Sequence, residues 1–99
     1  MIKYLQKAWG DSIDNVGMPD VITAIAETQQ MDDEHGAFWV GTEEEEIILE
    51  TNKWLQMICV VENTELSYKA ANWQEVEELY QLLLNEDFEA LKKIINNGK

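Results

Sequence analysis

The sequence predicts an α+β fold in two layers: two N-terminal helices, a three- or four-stranded antiparallel meander, and two C-terminal helices. Three observations predict it. Apolar residues recur with a helical period up to residue 30 and again from residue 73. Between residues 37 and 69 they fall into short runs of strand length. The connectors between those runs are short and polar, which pairs neighbouring strands antiparallel.

Ile2, Leu5, Trp9, Ile13 and Val16 recur at intervals of three and four, predicting a helix over 2–16 that Gly10 weakens and Gly17 stops. A second helix, over 19–30, starts with Pro19 in its first turn and Asp20 at its positive end, with Val21, Ile22 and Ile25 facing inward. Asp32-Asp33-Glu34-His35-Gly36 breaks the pattern. The strands are Ala37-Phe38-Trp39-Val40, Glu46-Ile47-Ile48-Leu49-Glu50 and the longer run from Trp54 to Val61, with Leu66-Ser67-Tyr68-Lys69 as a fourth. Helices should cover one face of this sheet. Asn72 then reads as an N-cap with Glu75 at the third helical position, followed by Trp73, Val76, Tyr80 and Leu83 at helical spacing. A terminal helix places Phe88, Leu91 and Ile95 inward and ends at Asn96-Asn97-Gly98.

Ninety-nine residues support one domain, 1–99, with a modest core. An apolar content of 45% with four tryptophans separates the chain from acidic disordered segments. Twenty acids against seven lysines give a net charge of −13. That charge argues against direct nucleic-acid binding and against attachment to anionic lipid, both of which need clustered cations. It favours a basic protein partner. Crowded acids also repel one another, so moderate salt should raise the thermal midpoint; an unchanged midpoint would exclude charge crowding as a limit on stability. The single cysteine, Cys59, lies in the run Met57-Ile58-Cys59-Val60-Val61 and reads as a buried thiol in a reducing cytosol. The N-terminus lacks the long apolar region of a signal peptide, and no run approaches the roughly 20 apolar residues of a membrane span. The expected location is cytoplasmic.

Catalytic chemistry finds little support. A nucleophile would have to pair Cys59 with the one histidine, His35, and a thiolate in an apolar strand is poorly solvated. Asp32-Asp33-Glu34-His35 gathers metal-ligand types but matches neither a zinc nor a calcium spacing. With this many acids, some carboxylate pair is always available by chance, and no glycine-rich phosphate loop is present. The expectation is a non-enzyme without cofactor or metal.

The placement of the acids is more informative. Between Lys7 and Lys53 there are 12 acids and no lysine or arginine. Those on helices, such as Glu75, Glu77, Glu78, Glu86, Asp87 and Glu89, serve caps or solvent faces. The loop acids Asp32, Asp33, Glu34, Glu43, Glu44 and Glu45 are the candidate partner-binding residues, because loops on a rigid scaffold are common recognition sites. Trp39 and Trp54 belong to the same argument, since tryptophan on a strand is ordinarily core but one exposed beside carboxylates anchors interfaces, and Trp39 joins the loop acids as the candidate anchor.

The section Phe38-Trp39-Val40-Gly41-Thr42-Glu43-Glu44-Glu45-Glu46-Ile47-Ile48-Leu49-Glu50, the adjoining strand from Leu55 to Val61 and the small acidic whole resemble bacterial toxin-immunity proteins of the contact-dependent growth inhibition and polymorphic toxin type. The resemblance implies a protein that neutralises a cognate toxin, commonly a nuclease, by covering its basic active site. The acidic loops would then imitate phosphates and steer the toxin into contact. Two other readings of the sequence are a nucleic-acid mimic that blocks a host DNA-binding or restriction protein, and an accessory subunit of a larger complex.

Overall fold

The computed structural model describes residues 3–42 and 47–97. In chain order the elements are β1 (Lys3–Lys7), β2 (Ser12–Asp14), α1 (Met18–Gln30), β3 (Ala37–Thr42), β4 (Ile47–Asn52), β5 (Gln56–Val61), β6 (Thr64–Lys69), α2 (Trp73–Leu84) and α3 (Phe88–Asn97). The six strands form one sheet in the order β2-β1-β3-β4-β5-β6, with every neighbouring pair antiparallel. The fold is α+β, but the expected two N-terminal helices and three- or four-stranded meander are corrected to one N-terminal helix and six strands.

The correction comes from the first 16 residues, where the hairpin of β1 and β2 replaces the expected helix over 2–16. Leu5 lies directly across from Ile13, so the two share a face in the hairpin just as they would on a helical stripe. The spacing alone does not separate the two structures. Backbone conformation does: Gly10 has φ 116° and Asn15 has φ 55°, both in the left-handed region that ends a helix. The pieces left on either side of Gly10 are too short to nucleate helix. Strand alternation was hidden because the inward positions of β1 include Lys3 and Lys7, while Tyr4 points to the other face. Buried Lys7 is neutralised by Glu27 of α1 and lies 5.7 Å from the Trp9 ring centre.

Helix α1 starts close to its expected position, with the Gly17 N–H donating to Asp20 Oδ2 at 3.0 Å. Val21, Ala24, Ile25 and Thr28 are buried, but Ile22, expected inward, is 48% exposed because it lies about 100° round the helix from Val21. The chain then enters the sheet beside β1, on the side away from β2. Strand β5 begins at Gln56 rather than Trp54, because Leu55 has φ 68° in a turn organised by Asn52, whose Oδ1 accepts from the Trp54 and Gln56 N–H groups at 2.9 and 3.0 Å. Glu62 and Asn63, with φ 49° and 67°, form the two-residue turn into β6, as the right-handed twist of a tight hairpin requires. At α2, Asn72 Oδ1 accepts from the Glu75 N–H at 2.8 Å, and the Glu75 carboxylate accepts from the Ala71 N–H and the Tyr68 hydroxyl. That last bond pushes the Tyr68 hydroxyl up to about 12.

One face of the sheet carries Leu5, Phe38, Val40, Ile47, Leu49, Met57 and Cys59, all buried. They form one core with Val21 and Ala24 of α1, Val76, Leu79, Tyr80 and Leu83 of α2, and Leu91 and Ile95 of α3. Tyr80 ties the layers together. Its ring stacks on Phe38 at 5.1 Å, its hydroxyl donates to the Leu49 carbonyl at 3.0 Å, and it accepts from the Thr51 hydroxyl at 2.7 Å. Full burial raises the Tyr80 pKa well above its ordinary value, so the hydroxyl remains a donor at any pH the fold tolerates.

Candidate interaction surface

With all three helices on one side, the other sheet face is open. The registers place two rows across it. One row runs Asp14, Tyr4, Gly41, Ile48, Val60, Glu65; the next runs Ser12, Gln6, Trp39, Glu50, Ile58, Ser67. Six strands at about 4.8 Å spacing make each row about 24 Å long. The first row is apolar in its middle with a carboxylate at each end. The second has Trp39, Glu50 and Ile58 at its centre and uncharged polar groups outside them. Every side chain in both rows keeps solvent contact, and only Gly41 is buried. A Cβ at Gly41 would stand 2.9 Å from Tyr4 Oη and 3.2 Å from Ile48 Cγ1, so the missing side chain lets the Tyr4 ring fill that place.

Glu50 is the unusual member. It lies between Trp39 and Ile58 across the strands and has no hydrogen-bond or ion-pair partner among the described residues. Partial burial, with some repulsion from Glu65, raises its pKa above the ordinary carboxylate value. The lysines that could relieve it are engaged elsewhere: Lys3 with Glu86 at 2.9 Å, Lys7 with Glu27, and Lys53 with Asp33 and the Met31 carbonyl. Among the described residues, register places three carboxylates on the open face, Asp14, Glu50 and Glu65, against one ammonium, Lys69, which donates to the Trp54 carbonyl.

The candidate residues distribute as follows. Trp39 is half-buried on the open face, beside Glu50, rather than in the core. Asp32 accepts from the His35 N–H at 2.9 Å and from the His35 ring at 2.8 Å, which lowers its pKa. Asp33 lies 3.4 Å from the Lys53 ammonium, and Glu34 is exposed. Lys53 also packs across Gly36, where a Cβ would fall 2.7 Å from its Cδ, so this loop is held against the β4–β5 turn. Glu43, Glu44 and Glu45 lie outside the described residues. Of the described residues on either side of them, Ile47 begins β4 and Thr42 ends β3, about 17 Å from Ala37 at the rise of an extended strand. The structure therefore sets Asp32–Asp33–Glu34, just before Ala37, and Thr42 at opposite ends of the strand that carries Trp39.

The sequence reading missed Tyr4, Ile48, Glu50, Ile58 and Val60. A signal was present. Ile47-Ile48-Leu49 and Met57-Ile58-Cys59-Val60-Val61 are unbroken apolar runs, whereas a sheet with one solvated face ordinarily alternates.

Elsewhere, Cys59 is buried between Leu49 and Leu66, and burial pushes its thiol up to about 11. The native chain should therefore react with a chromogenic disulfide reagent at pH 8 at least about 100-fold more slowly than the chain in denaturant. Comparable rates would show the strand to be open. Among the described residues, no group of His, Cys, Asp and Glu could hold a metal ion, and no helix is long and apolar enough to cross a membrane. No family model matches the chain, and neither does any curated protein or solved structure in the comparisons made.

Proposed function

We propose that this chain works by binding a basic protein, and that the partner is a toxin domain which it neutralises in the cytosol, as the resemblance to immunity proteins implies. The observation that supports binding is the open sheet face, where Tyr4, Trp39, Ile48, Ile58 and Val60 make a contiguous apolar surface around the uncompensated carboxylate of Glu50. Water covers such a surface poorly, and a rim of acids around an apolar centre is the complement of a basic protein. On this reading the open face supplies the contact area. Asp14, Glu65 and the acidic loop Asp32–Glu34 steer the approach, with Glu43, Glu44 and Glu45 retained as steering acids on their charge alone.

Co-expression tests the reading. A basic domain encoded beside this chain's gene should arrest growth when expressed alone, and growth should return when this chain is present, with a stable complex recovered by size-exclusion chromatography. Continued arrest with no complex would overturn it.

A further inference from the structure

The basic partner leaves open which of its groups meets the centre of the open face. We propose that Trp39 and Glu50 form a seat for one arginine side chain of that partner, its guanidinium stacking on the indole and pairing with the carboxylate.

Four observations lead there. Trp39 and Glu50 are directly opposed on β3 and β4 and point to the same uncovered face, where opposed Cβ atoms stand about 4.5–5.5 Å apart. A planar cation on the indole is therefore within reach of the carboxylate. Two of the other tryptophans already carry an internal cation, Lys7 over Trp9 at 5.7 Å and Lys53 over Trp54 at 5.8 Å, whereas no lysine among the described residues lies over Trp39. Glu50 is half-buried and has no partner among the described residues, so an arriving cation recovers solvation that the fold has withdrawn. Finally, Ile48 and Ile58 lie beside the pair, so a partner that closes over this face would shut water out around it and strengthen both contacts. Arginine fits better than lysine because its flat guanidinium stacks and bonds a carboxylate through two N–H groups, while an ammonium is a compact, strongly hydrated charge. A second copy of this chain does not fit. The chain contains no arginine, and two such faces would oppose three carboxylates with three.

The inference rests on the proposed binding of a basic protein but is tested without the toxin. The full chain, isotopically labelled, is titrated at low salt with a hexa-arginine peptide and with a hexa-lysine peptide, and its amide and indole signals are followed. The Trp39 indole N–H and the amides of Glu50 and Ile58 should shift most, and the arginine peptide should bind about threefold tighter or more than the lysine peptide. Glu50→Gln should weaken the arginine peptide about tenfold, while Glu78→Gln, on the exposed face of α2, should change it less than about twofold. A carboxyl whose pKa is raised in the fold opposes folding once ionised. Glu50→Gln should therefore raise the thermal midpoint at neutral pH by about 2 °C, which separates lost binding from lost structure. Shifts centred on the helix acids, equal affinity for the two peptides, or equal effects of the two substitutions would overturn the seat. Those results with toxin protection intact would leave the proposed function standing. A Trp39-centred, arginine-selective response with no protection would remove the toxin and keep the seat.

Discussion

Phe38→Ala should destabilise the fold by about 3–5 kcal/mol, measured by urea unfolding monitored by tryptophan fluorescence. Phe38 is fully buried at the centre of the sheet, stacks on Tyr80, and lies across from Thr51, whose hydroxyl bonds to the same tyrosine. Its loss opens a cavity where the two layers meet and loosens the Tyr80 ring that bonds to Leu49. For a domain of this size, with a total stability of roughly 5–15 kcal/mol, such a loss leaves part of the population unfolded at 37 °C. A cost below about 1 kcal/mol would mean that the helices do not pack on this face as described.

Trp39→Ala, one residue further along the same strand, should do the opposite. The side chain stands on the open face, so its removal should cost about 1 kcal/mol of stability, a midpoint shift of about 4–8 °C. Binding to the basic partner should weaken about 30-fold or more, because a tryptophan at the centre of an apolar patch with an acidic rim is where association energy concentrates. Isothermal titration of the purified pair would measure it. If Trp39→Ala left affinity within about threefold, the open face would not be the contact surface, and the acidic loops would have to carry the binding by themselves.

The contrast between these neighbours also shows how much could be read beforehand. The two C-terminal helices were legible because their signals are local: Asn72 caps, Glu75 follows at the right distance, and Val76, Tyr80 and Leu83 repeat on one stripe. The strands from 37 to 69 were legible for the same reason. The N-terminal hairpin was not, because pairing Leu5 with Ile13 mimics a helical interval, and the decisive φ values at Gly10 and Asn15 are tertiary outcomes. On the open face, Trp39 was singled out by residue type. Glu50 was passed over as one acid among twenty, since what distinguishes it is the lack of a lysine opposite it, and that depends on sheet register rather than on neighbours in sequence. In the first acidic run, the structure adds what sequence does not show: Asp32 is paired with His35 and Asp33 with Lys53.

The strand order has a kinetic consequence. Strands β3 to β6 follow one another in sequence with only a few residues between them, whereas β1 reaches its place only when Lys3 finds Thr42 across the whole of β2 and α1. Closing that long loop costs more chain entropy than closing the hairpins, so the N-terminal hairpin should dock late in folding. Tyr4 and Gln6, which complete the rows beside Gly41 and Trp39, arrive with it. A newly made chain should thus complete its open face in the closing step of folding, and a partner that docks there, as proposed, would meet only finished molecules.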